Sequence, residues 1–439
     1  MKHGTARHER PLCFHFLSND GKDDLMIPEK TNRRTFLTAT TGALAAGAIF
    51  APSVVLGAND RIRIGVIGGG GRSNSLCKDI AKNQKEWNAT VVAVCDVWKK
   101  NRDTTVQNMK DLFGSDPKPL VRYADLLAMP DVDAVIIATP DFAHSPILAD
   151  AAKAGKHAYC EKPMATNMRD ANNAVEAVEQ SGIICQVGTQ RRSHIPHQQA
   201  AEIIRSGLLG KITEVEAAYN RCTPSWLRDY GDVRKEDVDW GQYLMDLPER
   251  AFDPARFRRW HLYKDYSVGL PGLLGSHVID LVHWYMDDPL PESGIALGGT
   301  LIWTEGREHA DTLESAFLYP KGFLLRYVSR LGNSAGGYDA RFYGDRGTFD
   351  SSTLIATGEG GGKEALKEPV KAEGASEAGD WSRAELHLKN WLDCIRSGKQ
   401  PNADVHAGYG HSVVSILAFE SMNTGRRMKF DPEKKNLVF

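Results

Sequence analysis

Short apolar runs alternate with polar stretches of helical periodicity along residues 61–188. Five runs have the length and composition of buried parallel strands: 62–67, 90–95, 134–138, 157–160 and 183–188. The stretches between them, such as 142–154 and 167–180, have the periodicity of helices. Strands that alternate with helices predict βαβ units and a parallel sheet. We therefore expect one doubly wound α/β domain, a Rossmann fold, over residues 60–188.

The pattern changes after residue 188. An irregular segment rich in Trp, Arg, Asp and Pro covers 222–272, and a helix and turn-separated strands follow it. Residues 311–331 alternate around the turn at 320–322, which predicts a β-hairpin. The other predicted elements are an edge strand at 342–349, a Gly-rich surface loop at 358–362 and helices at about 382–397 and 405–424. Residues 189–439 are thus expected to form a second α/β domain.

The first 58 residues have the features of an export signal. Adjacent Arg33 and Arg34 precede a mildly apolar, Ala- and Gly-rich run that ends near Ala58. This pattern predicts a leader for the twin-arginine export machinery and a periplasmic or otherwise exported product, with Met26 as an alternative start. A transmembrane anchor is the rival interpretation, but the run is short, rich in Gly and Thr and contains Pro52.

The charge balance changes the expected partner. The chain has 54 Lys and Arg against 56 Asp and Glu, so it has no large basic field for nucleic acid. A small-molecule partner is expected instead. The seven cysteines are scattered without a Cys-x-x-Cys pair, which argues against a zinc knuckle and favours buried thiols.

A glycine-rich loop follows the first predicted strand and opens a helical pattern, the context that a dinucleotide-binding motif requires. Gly68 would permit a tight turn, and Gly70 would let the pyrophosphate approach backbone N–H groups at a helix N-terminus. Ser73 stands where a third glycine is usual and is small enough to pack there. The predicted loop residues are Gly68, Gly70, Gly71, Arg72 and Ser73.

The second predicted strand ends at Asp96, which can accept hydrogen bonds from the adenosine ribose and repel a 2′-phosphate. NAD is therefore favoured over NADP, although Lys99, Lys100 and Arg102 weaken that preference. Because the twin-arginine route carries folded proteins, the cofactor would be inserted before export and should be tightly bound.

Three segments closely resemble the glucose-fructose oxidoreductase/inositol dehydrogenase/rhizopine-catabolism (Gfo/Idh/MocA) family. They are A-T-P-D-F-A-H at 138–144, A-G-K-H-A-Y-C-E-K-P-M at 154–164 and Q-V-G-T-Q-R-R at 186–192. The resemblance implies an NAD(P)-dependent oxidoreductase whose second domain has a large, open, mostly antiparallel sheet, and a homo-oligomer (dimer or tetramer). The cofactor residues that it implies besides the glycine loop are Thr139, Pro140, His144, Glu161, Lys162 and Gln190.

The resemblance also implies the catalytic residues. Lys162 corresponds to the family lysine between nicotinamide and substrate, where a cation lowers the pKa of the reacting hydroxyl. His277 corresponds to the family's catalytic histidine. Many members have an aspartate four residues before it, but this chain has Leu273. His277 could therefore be the acid/base or a structural residue.

Polar and aromatic residues near the predicted site suggest sugar recognition. The tentative substrate residues are Arg191, Arg192, Arg259, Trp260, Tyr266 and Asp280. The rival interpretations are a packing loop and solvated charge. His277, Asp280 and His283 are spaced by threes, but His283 would lie about 120° from His277 on a helix, so no metal site is expected.

The expected reaction is hydride transfer between a sugar or polyol carbon and nicotinamide. Two other functions stay open. An NAD-dependent glycoside hydrolase would oxidise the sugar transiently, eliminate the leaving group and return the hydride. A non-catalytic sugar-binding protein would retain NAD without turnover.

Overall fold

The computed structural model describes residues 61–374 and 384–439. The predicted leader at 1–58 lies outside the described residues, as does the start of the helix predicted from 382. None of the described helices is both long and apolar enough to cross a lipid bilayer.

The first domain is a Rossmann fold, as predicted. Its sheet has six parallel strands in the order β3-β2-β1-β4-β5-β6. The strands are β1 (Ile62–Ile67), β2 (Ala89–Cys95), β3 (Lys118–Leu120), β4 (Ala134–Ile137), β5 (His157–Cys160) and β6 (Cys185–Val187). The helices are α1 (Gly71–Lys82), α2 (Gln84–Trp87), α3 (Lys99–Phe113), α4 (Tyr123–Leu127), α5 (His144–Lys153) and α6 (Met168–Ser181).

All five predicted strands of this domain are present, each within a few residues of its predicted bounds. They are nearly uniformly buried, because helices cover both faces of a parallel sheet. Strand β3 was not predicted, since its three residues lie largely exposed at the sheet edge and carry no apolar run.

The second domain contains a ten-stranded, mostly antiparallel sheet, which confirms the expected fold class. Its strands are β7 (Ile212–Asn220), β8 (Ser293–Gly299), β9 (Thr312–Leu318), β10 (Leu324–Arg330), β11 (Ala340–Gly344), β12 (Gly347–Asp350), β13 (Ile355–Thr357), β14 (Val370–Lys371), β15 (Met428–Asp431) and β16 (Asn436–Val438). Its helices are α7 (Ile195–Arg205), α8 (Trp240–Leu244), α9 (Pro254–Arg258), α10 (Ser276–Met286), α11 (Ala384–Ser397) and α12 (Val405–Thr424).

The strand order is β14-β13-β12-β11-β7-β10-β9-β8-β15-β16. The predicted hairpin is β9 and β10, whose antiparallel register joins Leu318 to Leu324. The prediction of an edge strand at 342–349 was wrong, because these residues turn between β11 and β12, and β11 pairs with the central strand β7. The run includes Gly344 and Gly347, which close that turn.

Helices α10 and α12 cover one face of this sheet, whereas α11 packs on the first domain. Side chains of α10 and α12 share a hydrophobic core with the inner face of the strands. Helix α11 instead packs on the Rossmann sheet, where Leu388, Trp391 and Leu392 share a core with Ile62 and Ile64. The helical layer of the first domain is therefore completed by residues near the end of the chain.

Candidate active site

A cavity of about 1050 Å³ opens at the carboxyl ends of the Rossmann strands. Its wall combines the glycine loop, the segments after β4 and β5, and residues of the second domain. Ligands of doubly wound sheets bind at this edge, where the strand order reverses. The cavity therefore lies where the sequence predicts the cofactor.

The glycine loop has the shape that a pyrophosphate requires. Gly68 has φ of 92°, and a Cβ there would lie 2.6 Å from the carbonyl oxygen of Ala138. A Cβ at Gly70 or Gly71 would meet no atom within 4 Å, so the loop leaves space beside the start of α1. Its free N–H groups and the helix dipole favour an anionic group.

Ser73 fills the position of the third glycine. It is fully buried, and its hydroxyl donates to the carbonyl oxygen of Gly70 at 3.0 Å. A small side chain is accepted there because α1 packs closely on the sheet.

Asp96 lines the other end of the glycine loop. Its carboxylate accepts from the backbone N–H of Gly69 at 2.6 Å and of Trp98 at 2.8 Å. Of the nearby basic side chains, Lys99 pairs with Asp103 and Lys100 with Asp232, whereas Arg102 Nη1 donates to the backbone carbonyl oxygen of Asp96 at 3.0 Å. The ion pairs partly neutralise the two lysines, and Arg102 remains a cation beside Asp96.

Glu161 and Gln190 line the cavity and belong to one hydrogen-bonded group that Arg72 and Tyr159 connect. The Glu161 carboxylate accepts from Arg72 Nε at 2.7 Å, and Gln190 Nε2 donates to the Tyr159 hydroxyl at 2.8 Å. A Cβ at Gly188 would lie 2.9 Å from Glu161, so close packing holds the carboxylate in place.

His144 joins the two loops that follow β4 and β5. Its ring nitrogens lie 2.9 Å from the Thr139 carbonyl oxygen and 2.8 Å from the Pro163 carbonyl oxygen. Burial lowers the pKa of His144, so the ring is neutral and one nitrogen donates. Thr139 and Pro140 line the cavity, and the buried Thr139 hydroxyl has no partner among the described residues. That hydroxyl and the open glycine loop fit a nicotinamide dinucleotide.

Lys162 faces the cavity and is held by the second domain. Its Nζ donates to the backbone carbonyl oxygen of Leu273 at 2.7 Å. Leu273 lies in a π-helical turn, Pro271–Gly275, directly before α10. A backbone oxygen of residue 273, not a side chain, thus contacts the lysine. Burial lowers the pKa of Lys162, and the Asp141 carboxylate opposes that shift.

Asp141 is a functional candidate that the sequence analysis missed. It is 2% exposed, lines the cavity, and its Oδ2 has no hydrogen-bond partner among the described residues. Burial raises the pKa of the Asp141 carboxyl well above its ordinary value, and Lys162 acts to lower it. One proton can therefore lie on Lys162 or on Asp141. The two groups are then both charged or both neutral, so neither arrangement leaves an isolated charge in the cavity wall.

His277 lies on the first turn of α10 and lines the same cavity as Lys162. Its ring is 6.2 Å from that of Tyr219, and no hydrogen bond to it is formed by the described residues. Burial, followed by the charges of Lys162 and Arg191, lowers the pKa of His277 well below its ordinary value. The neutral imidazole can accept a proton.

Only two of the tentative substrate residues line the cavity: Arg191 and Trp260. Arg192 and Asp280 instead form a bidentate ion pair, with Nε and Nη2 each 2.9 Å from a carboxylate oxygen. The pair fastens the segment after β6 to α10. Its burial leaves Asp280 outside the cavity wall.

The other two residues brace the wall from behind. Arg259 Nε donates to the carbonyl oxygen of Arg228 at 2.8 Å. Tyr266 packs at 5.5 Å from the ring of Phe142, and its carbonyl oxygen accepts from the Phe142 N–H. Tyr266 thereby supports the turn that carries Asp141.

The residues weighed as metal ligands are engaged separately. Asp280 pairs with Arg192, while His283 Nε2 lies 2.6 Å from the Tyr319 hydroxyl. Within 61–374 and 384–439, no three His, Cys, Asp or Glu side chains gather as a metal site.

Two family models match the two domains. The NAD-binding Rossmann model of the GFO_IDH_MocA oxidoreductase family matches residues 62–189, and its C-terminal alpha/beta model matches 201–430.

Several named proteins are similar to the chain. Inositol 2-dehydrogenase of Rubrobacter xylanophilus is 23% identical over 85% of this chain and 95% of its own length. Myo-inositol 2-dehydrogenase of Thermotoga maritima is 29% identical over 45% of this chain and 54% of its own. A glycosyl hydrolase family 109 protein of Shewanella baltica is 29% identical over 36% and 35%, respectively. The latter two alignments thus cover about half and a third of those proteins.

Solved structures share the fold. The WlbA dehydrogenase of Bordetella pertussis, in complex with NADH and UDP-GlcNAcA, has a TM-score of 0.62 at 23% identity and covers 85% of this chain and 98% of its own. Levoglucosan dehydrogenase, in complex with NADH and levoglucosan, has a TM-score of 0.64 at 17% identity, covering 84% and 99%.

Proposed function

The chain belongs to the Gfo/Idh/MocA family of NAD-binding oxidoreductases, and from this premise we propose that it transfers hydride between a hydroxyl-bearing sugar or polyol carbon and tightly bound NAD. One observation carries the proposal: the Lys162 ammonium and the His277 imidazole face the cavity into which the glycine loop opens. The inositol and levoglucosan dehydrogenases that it resembles support a polyol or sugar substrate.

The chain's residues have distinct tasks in this reaction. The glycine loop and Asp96 hold the dinucleotide, whose nicotinamide, when bound, accepts or returns the hydride. Lys162, fixed by the Leu273 carbonyl, stabilises negative charge on the reacting hydroxyl oxygen. His277 takes the hydroxyl proton. The Asp141 carboxylate balances the positive charge of Lys162.

A glycoside hydrolase is the second candidate, favoured by the similarity to family 109 glycosyl hydrolases. It would use the same site, because transient oxidation of a sugar hydroxyl needs the same proton acceptor. Its net redox change would be zero. Sugar release without net change in the nicotinamide would identify it.

A sugar panel tests the proposal. Purified protein is incubated with neutral and acidic sugars and polyols while the absorbance of the bound nicotinamide is followed. We expect reduction by at least one compound, and Lys162→Ala should slow it by about 10² to 10⁴. Retained NAD that no compound reduces, with no sugar released, would favour a sugar-binding protein and contradict both catalytic proposals.

Export and self-association belong to the same proposal. The twin-arginine motif at Arg33 and Arg34 supports an exported product. The outer face of the second sheet exposes Ile295, Leu297 and Leu324, which supports a homo-oligomer.

A further inference from the structure

One part of the cavity wall is the segment 221–228, directly after β7. Ser225 and Trp226 have consecutive left-handed backbone angles, with φ of 52° and 56°. Non-glycine residues adopt this conformation at a cost, and it persists where the surroundings determine it. Here the buried Arg307 guanidinium donates to the Pro224 carbonyl oxygen. The strained turn is therefore held in place beside the cavity.

The strained turn aims an aromatic side chain at the cavity. The Trp226 ring stacks on His261 at 5.4 Å and 9°, and His261 stacks on Trp260 at 3.5 Å and 17°. Trp226, His261 and Trp260 all line the cavity. Such flat apolar faces suit a sugar ring.

The same segment contributes two arginines to the wall, Arg221 and Arg228. Arg221 lies 5.6 Å from the centre of the Tyr219 ring, and its charge reaches Lys162. The charge of Arg228 reaches His261. Neither arginine pairs with a carboxylate among the described residues. Both residues are exposed to solvent, while partial burial of the Arg228 guanidinium, followed by the charge of Arg258, lowers the pKa of Arg228.

The carboxylates of the wall are committed elsewhere. Only Asp96, Asp141 and Glu161 line the described cavity. Asp96 holds the glycine loop, Glu161 pairs with Arg72, and Asp141 faces Lys162. The two arginines therefore give this part of the cavity a net positive charge.

Other charged groups near the arginines do not reverse this balance. Arg191 lies 3.6 Å from Asp339, so that cation is already compensated. Arg258 lies 5.0 Å from the Trp98 ring, and its charge also reaches Arg228 and His261, so it adds to the positive charge of this part of the wall. Asp232 pairs with Lys100.

We propose that the substrate carries an anionic substituent, a carboxylate or a phosphate ester, which Arg221 and Arg228 bind while Lys162 and His277 meet the reacting hydroxyl. This inference rests on the proposed function. A guanidinium presents paired donors that match both anions, and the cofactor's pyrophosphate is met by the start of α1. The aromatic stack of Trp226, His261 and Trp260 lines the wall between the two ends and offers an outer face to the sugar ring.

The test compares neutral sugars with their acidic derivatives. Binding of glucose, glucuronate and glucose 6-phosphate, and of the galactose series, is measured by calorimetry on the full, NAD-loaded protein. Hydride transfer is followed in a single turnover. We expect at least one acidic sugar to bind about tenfold or more tightly than its neutral parent. The uronate and phosphate arms identify which anion is recognised.

The double variant Arg221→Gln/Arg228→Gln should bring the ratio of acidic to neutral affinity close to one. Arg234→Gln is the matched control, since Arg234 is exposed on the same stretch of chain but outside the cavity wall. Its affinity ratio should match that of the wild type. Melting temperatures check that each variant is folded.

Three results would overturn the inference: equal or tighter binding of the neutral parent, a preference that survives in the double variant, or no binding of any acidic sugar. These outcomes differ from a failure of the proposed function. Arginine-dependent binding of an acidic sugar without redox or cleavage chemistry would sink the proposed function alone. Turnover of neutral sugars without preference would sink the inference alone.

Discussion

At the scale of single residues, the sequence predicted the glycine loop, Lys162 and His277, which line one cavity, but not the groups that surround them. Glycines and the Glu-Lys-Pro motif can be recognised because few other residue types fit those positions. Asp141 was missed because only the folded turn buries it beside Lys162. Likewise, the Leu273 carbonyl that holds Lys162 is a backbone atom, which a side-chain pattern does not reveal.

Lys162→Ala should reduce single-turnover hydride transfer by about 10² to 10⁴, the usual contribution of one acid/base group. NAD content should not change, because the glycine loop and Asp96 remain. Since Lys162 lowers the pKa of His277, its removal should raise that pKa and move the acidic limb of the pH profile to higher pH. The exposed Lys153→Ala serves as control.

Full activity of Lys162→Ala would refute this mechanism. His277→Ala measures what the imidazole contributes apart from Lys162. No described residue orients this imidazole through a hydrogen bond. A loss of less than about threefold in a folded protein would assign His277 a structural role.

Asp96→Ala should narrow the preference for NAD over NADP. The change removes an acceptor for ribose hydroxyls and the negative charge that opposes a 2′-phosphate. The change also frees the Gly69 N–H, which affects both cofactors. Because the lost ribose contacts matter for NAD and the lost repulsion matters for NADP, NAD affinity should fall more than NADP affinity. Dissociation constants for both cofactors check this, with Asp103→Ala as control. Wild-type binding of NADP at least as tight as NAD would contradict the assignment.

At the scale of elements, long apolar runs were predicted well and unusual turns were not. Strand β7 was overlooked because its Glu and Asn residues interrupt the apolar alternation, although it lies in the middle of the sheet. The π-helical turn before α10 packs against α12, β7 and β10 of its own domain and against Pro163 of the first. A local pattern contains no information about such contacts.

Gly272→Ala tests the packing of this turn. The added Cβ would lie 2.5 Å from Val268 Cγ2 and 3.1 Å from Pro163 Cγ. Overpacking of this kind costs about 1–3 kcal/mol of unfolding free energy. Denaturant titration should show that loss, together with slower hydride transfer as Leu273 shifts. Gly362→Ala, whose Cβ would meet nothing closer than 3.7 Å, should leave both unchanged. Wild-type stability of Gly272→Ala would contradict the packing argument.

At the scale of the whole molecule, the change of pattern after residue 188 predicted two successive domains. The same pattern did not indicate an association surface. Exposed apolar residues gather on β8 and its neighbours, where Leu297 is 80% exposed. Patches of this kind are typical of association surfaces.

Leu297→Asp should weaken self-association. Charge on an apolar interface is costly to bury, so the variant should shift towards monomer in size-exclusion chromatography with light scattering. Ile195→Asp, an exposed site on α7, is the control. A monomeric wild type would contradict the proposed homo-oligomer.

Changing Arg33 and Arg34 to Lys should retain the precursor in the cytoplasm, since the paired guanidinium groups are the recognition element. Cell fractionation measures this, with Lys30→Gln as control. Unchanged secretion of the double variant would refute the twin-arginine assignment.

Because α11 packs on the Rossmann sheet, the first domain is completed only late in translation. Leu388, Trp391 and Leu392 cover apolar side chains of a domain whose own strands end at Val187. About two hundred residues must therefore be translated before that surface is shielded. Until then the nascent cofactor domain exposes part of its hydrophobic core. A stop codon anywhere before α11 would therefore release an aggregation-prone, protease-sensitive fragment instead of an autonomous nucleotide-binding domain.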